Sequence, residues 1–304
     1  MINPILASSG RRRMRTIWTP ILVTLYCAAM SILVYFYAFH GFSEATMKIG
    51  QMRKGVEAYV FVLGLQFVLL ILVAPAMTAG SIAGERERQT LDLLRVTNTG
   101  SFSIVMGKLL ESFGFLCLLI VSSLPVLSLI LVTGGASFAQ MMTGVLFLML
   151  VALAALSIGL FASSLLKRTV TAAVVSYLAI FGLGVLTLIP LFWDTQKIGE
   201  IYDAAQRANQ PLTTIDHVPI AFVINPALGL ISLVSSQTKG DIITLVFGQF
   251  SHTLNVTAEY LQFEKYLTMH MIFLACVSVV LLALSAWFVR PQRHNPRISK
   301  RKKI

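Results

Sequence analysis

Five charged side chains, Glu85, Arg86, Glu87, Arg88 and Asp92, fall within eight residues of a chain that is oily on both sides of them. Carboxylates and guanidiniums at this spacing can pair on one helix surface: Glu85 with Arg88 at i,i+3, and Arg88 with Asp92 at i,i+4. Leu91 and Leu94, with Leu93 or Val96, supply an apolar stripe. The run Asn98–Ser101 then breaks the helix, and Ser101 is placed to cap the next one. The spacing predicts a short amphipathic helix within Gly84–Gly100, centred on Glu85–Leu94. A mixed-charge helix with a leucine stripe suits docking in a groove of another protein. The simpler alternative is a solvated loop, and topology alone does not require Glu85, Glu87 and Asp92.

Other chemistry is thinly represented. No G-x-x-x-x-G-K-[ST] phosphate loop occurs, so ATP has no such cradle in this chain. A G-x-S-x-G elbow and an H-E-x-x-H pair are also absent, and the five histidines form no metal pattern. Cys27, Cys117 and Cys276 lie far apart in apolar stretches and read as small buried hydrophobes. The sequence therefore predicts no catalytic residue, no metal site and no cofactor held by this chain.

The elements that must position the charged run are membrane spans. The chain has 304 residues, 56% hydrophobic and 12% charged, against about 25% charged in soluble domains. Its mean hydropathy is +0.79. A helix needs about 20 mostly apolar residues to cross the hydrocarbon core. Stretches of that kind run over Ile17–Phe39, Ala58–Ile82, Phe102–Thr133, Met141–Leu166, Val170–Trp193 and Thr268–Val289. The third is long, and Pro125 is a kink site. Trp18, Trp193 and Trp287 stand at span edges, as interfacial aromatics do. The predicted fold is an all-α membrane protein with six transmembrane helices in a single domain over residues 1–304. No ionisable residue falls at mid-span; Glu57, Glu111, Asp194 and His270 are near edges. Proton- or sodium-driven transporters usually need such groups.

Basic residues set the orientation. With the N-terminal segment 1–16 inside, the inside segments hold Arg11, Arg12, Arg13, Arg15, Arg86, Arg88, Arg95, Lys108, Lys167, Arg168 and the seven basic residues of the tail 290–304. The outside segments hold only Lys48, Arg53, Lys54, Lys197, Arg207, Lys239 and Lys265. This bias places both termini in the cytoplasm. The tail reads as a topology anchor, with anionic lipid as a lesser partner and no nucleic acid.

The connection 194–267 is expected outside. Its apolar part, Val218–Ser236, is interrupted by Asn225-Pro226. It reads as a re-entrant or interfacial helical element, paired with Ile242–Phe250, which needs protein or a polar cavity around its broken backbone. In the fourth span, Ala155, Gly159 and Ser163 recur every four residues, a pattern for close helix packing in lipid. The sequence leaves open whether that face meets another span or another subunit.

The stretch "AGERERQTLDLLRVTNTGSFSIVMGKLL", residues 83–110, resembles the loop between spans 2 and 3 of type-2 ABC exporter permeases. Glu85, Arg86, Glu87, Arg88, Thr90, Leu91, Asp92, Leu94, Gly107 and Lys108 carry the match. Gln89 stands where that family usually has Gly, and Asn98 where Pro is common. "NPIL" at Asn3–Leu6 resembles the family's start, with Asn3 as cap and Pro4 at the first helical position. The resemblance implies a permease subunit that pairs with a second permease subunit and with a separate ABC ATPase, which binds ATP and Mg. It implies a plasma-membrane exporter in which Glu85, Arg86, Glu87, Arg88, Thr90, Leu91, Asp92 and Leu94 couple to the ATPase. A secondary transporter or channel, and a non-transporting membrane scaffold or assembly factor, are the competing classes. Response to an ion gradient rather than to ATP depletion separates the first.

The topology is checked by cysteine labelling. Cysteines replacing Ser236 and Ser299 are expected to react from opposite sides of the membrane, and labelling of both from outside overturns the orientation.

Overall fold

A computed structural model of the chain describes residues 18–40, 49–90, 100–132, 136–208, 219–238 and 262–290. In hydrocarbon a backbone N–H or C=O has no water to bond, so long apolar segments become helices that satisfy themselves internally. The described residues form α1 (Trp18–His40), α2 (Ile49–Glu87), α3 (Ser101–Ser122), α4 (Leu124–Val132), α5 (Phe138–Leu165), α6 (Thr169–Leu186), α7 (Leu188–Arg207), α8 (Ile220–Ile224), α9 (Pro226–Thr238) and α10 (Phe263–Val289). Among them, five stretches are long and apolar enough to cross a membrane: Ala58–Glu87, Ser101–Val132, Phe138–Leu165, Thr169–Arg207 and Phe263–Val289. In α1 the described apolar stretch, Val23–Ile32, is shorter than a span.

The ends and breaks of the helices have local causes. The third span breaks at Ser123, between α3 and α4 and just before Pro125, as the kink expectation required. Gln66 of α2 donates to Ser123 Oγ there, and Ser123 Oγ donates to Ile120 O at 2.7 Å. Ser137 and Gln140 form a capping box that starts α5. Ser101 does not cap α3 as expected: Gly100 occupies the N-cap position without a side-chain bond, and Ser101 is the first helical residue.

α5 is the central helix, buried along its length from Met141 to Ser164. By contrast α6 buries only Ala172, Ser176 and Ile180. The small-residue face of α5 meets α2 within this chain. A Cβ on Gly159 would sit 2.0 Å from Thr78 Oγ1 and 3.3 Å from Pro75 Cα. Ser163 Oγ accepts from the backbone N–H groups of Ile82 and Ala83 at 3.0 and 2.8 Å. The four-residue spacing is thus explained by α2.

Helix extends past the expected end of the fifth span. The helix does not end at Trp193. It breaks at Thr187 and continues as α7 to Arg207, so the start of the stretch 194–267 is helical. His270, expected near a span edge, lies in the second turn of α10 and is wholly buried.

The element before α10 is helical and broken at Asn225, between α8 and α9, where the Asn-Pro pair placed the break. Asn225 Nδ2 donates to Gly184 O at 3.1 Å and Thr187 Oγ1 at 2.7 Å, so one broken helix satisfies the other. Asn225 Oδ1 accepts from Ala227 N at 2.9 Å and caps α9. His270 Nδ1 lies 2.7 Å from Val223 O; a carbonyl only accepts, so that nitrogen carries the proton. Gln140 and Gln237 bond reciprocally through side-chain amide and backbone carbonyl, each at 3.2 Å, and Tyr59 donates to Gln140 O at 2.9 Å. These contacts gather the start of α5, α8, α9 and the start of α10 at one end of the bundle. Residues 242–250, expected to pair with this element, lie outside the described residues, as does the segment around Asn3 and Pro4.

Gly159→Leu is expected to lower the thermal midpoint of the detergent-solubilised protein sharply, because overpacking against backbone costs about 1–3 kcal/mol or more. Gly182, with nothing within 4 Å of an added Cβ, is the control: Gly182→Ala should leave the midpoint unchanged or raise it. Equal midpoints for the two variants would contradict the contact.

Candidate functional site

The charged run does not form one helix. Glu85, Arg86 and Glu87 are the last residues of α2 itself. Arg88 N still bonds Gly84 O at 3.0 Å, but Gln89 N bonds Arg86 O and Thr90 N bonds Glu85 O, which tightens and ends the helix. Gln89 has φ 58°, in the left-handed region. That conformation ends helices and favours glycine. The continuous helix expected over Glu85–Leu94 is therefore corrected: the helix stops at Glu87 and the chain turns. Leu91, Asp92 and Leu94 lie outside the described residues.

Each of the three helical charges reaches a different span. Glu85 Oε1 pairs with Lys108 Nζ of α3 at 2.7 Å, with both side chains partly shielded. A pair of this exposure contributes at most about 1 kcal/mol, so its role is more positional than stabilising. Arg86 Nη2 donates to Phe288 O, near the end of α10, at 3.4 Å. A cation near a helix C-terminus also complements the partial negative charge of its unsatisfied carbonyls. Glu87 Oε2 accepts from Thr169 N at 3.2 Å and Thr169 Oγ1 at 2.8 Å, at the first residue of α6. The N-cap position of α6 is held by Arg168, whose side chain makes no cap bond. A carboxylate from α2 thus supplies the cap that α6 lacks.

The local expectation was pairing within the run, Glu85 with Arg88. In the structure Glu85 instead engages Lys108, and Arg88 and Thr90 are exposed past the helix end. Thr90 Oγ1 donates back to Glu85 O at 3.2 Å and closes the turn. Of the residues singled out in sequence, Glu85, Arg86, Glu87 and Lys108 come together with Thr169 and Phe288 at one end of the bundle.

Sequence reasoning missed the surface that lets α6 approach. Gly80 and Gly84 are spaced for close helix contact. A Cβ on Gly80 would lie 2.9 Å from Thr169 Cγ2, and one on Gly84 would touch Thr169 Oγ1 at 3.5 Å. The spacing was readable; its partner was not. Among the described residues no group of His, Cys, Asp and Glu could hold a metal ion.

A family model described as an ABC-2 family transporter protein matches residues 43–287. No curated protein matches the chain.

The turn at Gln89 gives a direct test. A non-glycine residue at positive φ costs about 1–2 kcal/mol, so Gln89→Gly should raise the thermal midpoint modestly. Gln89→Val, β-branched and poorly tolerated there, should lower it. A fall with Gly and a rise with Val would show that the turn is not left-handed.

Proposed function

Because the chain belongs to the ABC-2 transporter family, we propose that it is the membrane half of an ATP-driven exporter in the plasma membrane, powered by a separate ABC ATPase. A permease of this family is a transmembrane subunit of an ABC transporter, not a catalytic domain, and works with an ABC ATPase. Beyond that, two permease subunits enclose the cargo pathway between them, and both termini and the charged run face the cytoplasm. The ATPase binds below the run and contacts Arg88, Thr90 and the segment after them. ATP-driven closure of the ATPase then favours one access state of the pathway, which requires that its contacts differ between the two states.

The observation that carries this reading is the placement of the run. It stands at the end of a span, where α2 stops and the exposed Arg88 and Thr90 begin. The charges behind it tie α2 to α3, α6 and α10. A partner that grips the exposed turn holds the ends of the spans.

Purified alone, the chain is expected to hydrolyse no ATP. Co-expressed with a partner ABC ATPase, it should form a complex whose hydrolysis responds to Arg88→Ala. Loss of a charge pair at an interface weakens assembly roughly tenfold or more when the pair is desolvated, and far less at a wet rim. Robust hydrolysis by the pure chain, or a parental complex with Arg88→Ala and Arg88→Glu alike, would sink the reading.

A further inference from the structure

The cap that Glu87 places on α6 lies at one end of a longer seam. Gly80 and Gly84 carry no side chain toward Thr169, so the last turns of α2 lie against the start of α6. Ala79, Ala83 and Ala172 form a small apolar cluster between them. Further along, Tyr177 OH donates to Leu72 O at 2.6 Å. Leu72 lies one turn before Pro75, which has no N–H to donate and loosens the helix around it. A side chain of α6 thus bonds the backbone of α2 one turn before its proline, and a side chain of α2 completes the start of α6.

Two of these contacts act through the backbone. Glu87 bonds the Thr169 amide, one of the N–H groups that a helix start leaves without an internal partner. Tyr177 bonds a main-chain carbonyl. Contacts to backbone at both ends of a seam resist sliding and rotation of whole helices, not only side-chain motion. The link from α2 to α3 at this end is of another kind, a side-chain ion pair between Glu85 and Lys108.

We infer that Glu87 is a positioning residue that joins the arm of α2 after Pro75 and the first half of α6 into a single strut. A displacement imposed on the turn after Glu87 then moves the fifth span together with the second, while the third span is linked at this end through a side-chain ion pair. The consequence for transport rests on the permease reading above; the strut itself does not.

The test is hydrogen exchange on the full chain in lipid nanodiscs, followed by mass spectrometry of the peptide covering 169–177. Glu87→Ala should make these amides exchange several-fold faster. Glu87→Gln, which keeps an acceptor oxygen, should restore protection. Glu85→Ala should leave this peptide unchanged and loosen the start of α3 instead. In the complex with the ATPase, ATP plus vanadate should change exchange in this peptide, and Glu87→Ala should abolish that response while the ATPase stays bound. Unchanged exchange in Glu87→Ala, or equal loosening by Glu85→Ala, overturns the strut. So does a full nucleotide response in Glu87→Ala. Protection that follows Glu87 in the chain alone, with no ATPase bound and no nucleotide response anywhere, upholds the strut and refutes the permease reading.

Discussion

The contact of α2 with α5 at Gly159 is the constraint from which the rest of the bundle follows. In lipid, apolar burial does not drive helices together, so close packing and backbone satisfaction must do so. Gly159 lets Thr78 and the Pro75 backbone approach to distances that any side chain would block. One turn further, Ser163 takes bonds from two amides of α2. With α2 held this way against the central helix, its last turns are presented to α6. Its final charges are then within reach of three other spans.

That arrangement changes the meaning of the charged run. Charges at a membrane edge are often read as partner-facing or as topology signals, and Arg88 fits either description. Glu85, Arg86 and Glu87 each make a contact within the chain: an ion pair to α3, a bond to the end of α10 and a cap on α6. A helix end can serve both purposes, because the turn at Gln89 separates the residues behind it from the exposed ones beyond it.

The opposite end obeys the same rule with neutral groups. Two helix breaks, at Thr187 and at Asn225, expose backbone that water cannot reach. They meet, and the Asn225 amide bonds across from one to the other. His270 reaches Val223 O between them, and the absence of a side chain on Gly229 leaves room for its ring. The Asn225 amide and His270 Nδ1 thus bond backbone carbonyls of the irregular helices, which is how a broken helix packed among others keeps its backbone satisfied.

Much of the architecture was legible because it follows from local rules. Apolar length decided which segments are helices. Pro125 and Asn225-Pro226 marked two breaks through their effect on neighbouring backbone. The spacing of Ala155, Gly159 and Ser163 marked a face for close packing. The continuation of the fifth span to Arg207 was not legible, since α7 is helical beyond its apolar part and hydropathy does not report polar helix. The pairing of Glu85 with Arg88 gave way to one with Lys108. The i,i+3 and i,i+4 rules describe neighbours on one helix, whereas Glu87 bonds a residue 82 positions away and Arg86 one 202 away. The sequence by itself determined that charge gathers at the end of the second span and that small residues line the fourth. Only the tertiary structure decided what those charges and that face meet, because a contact between helices depends on where packing places their ends, and no local spacing records that.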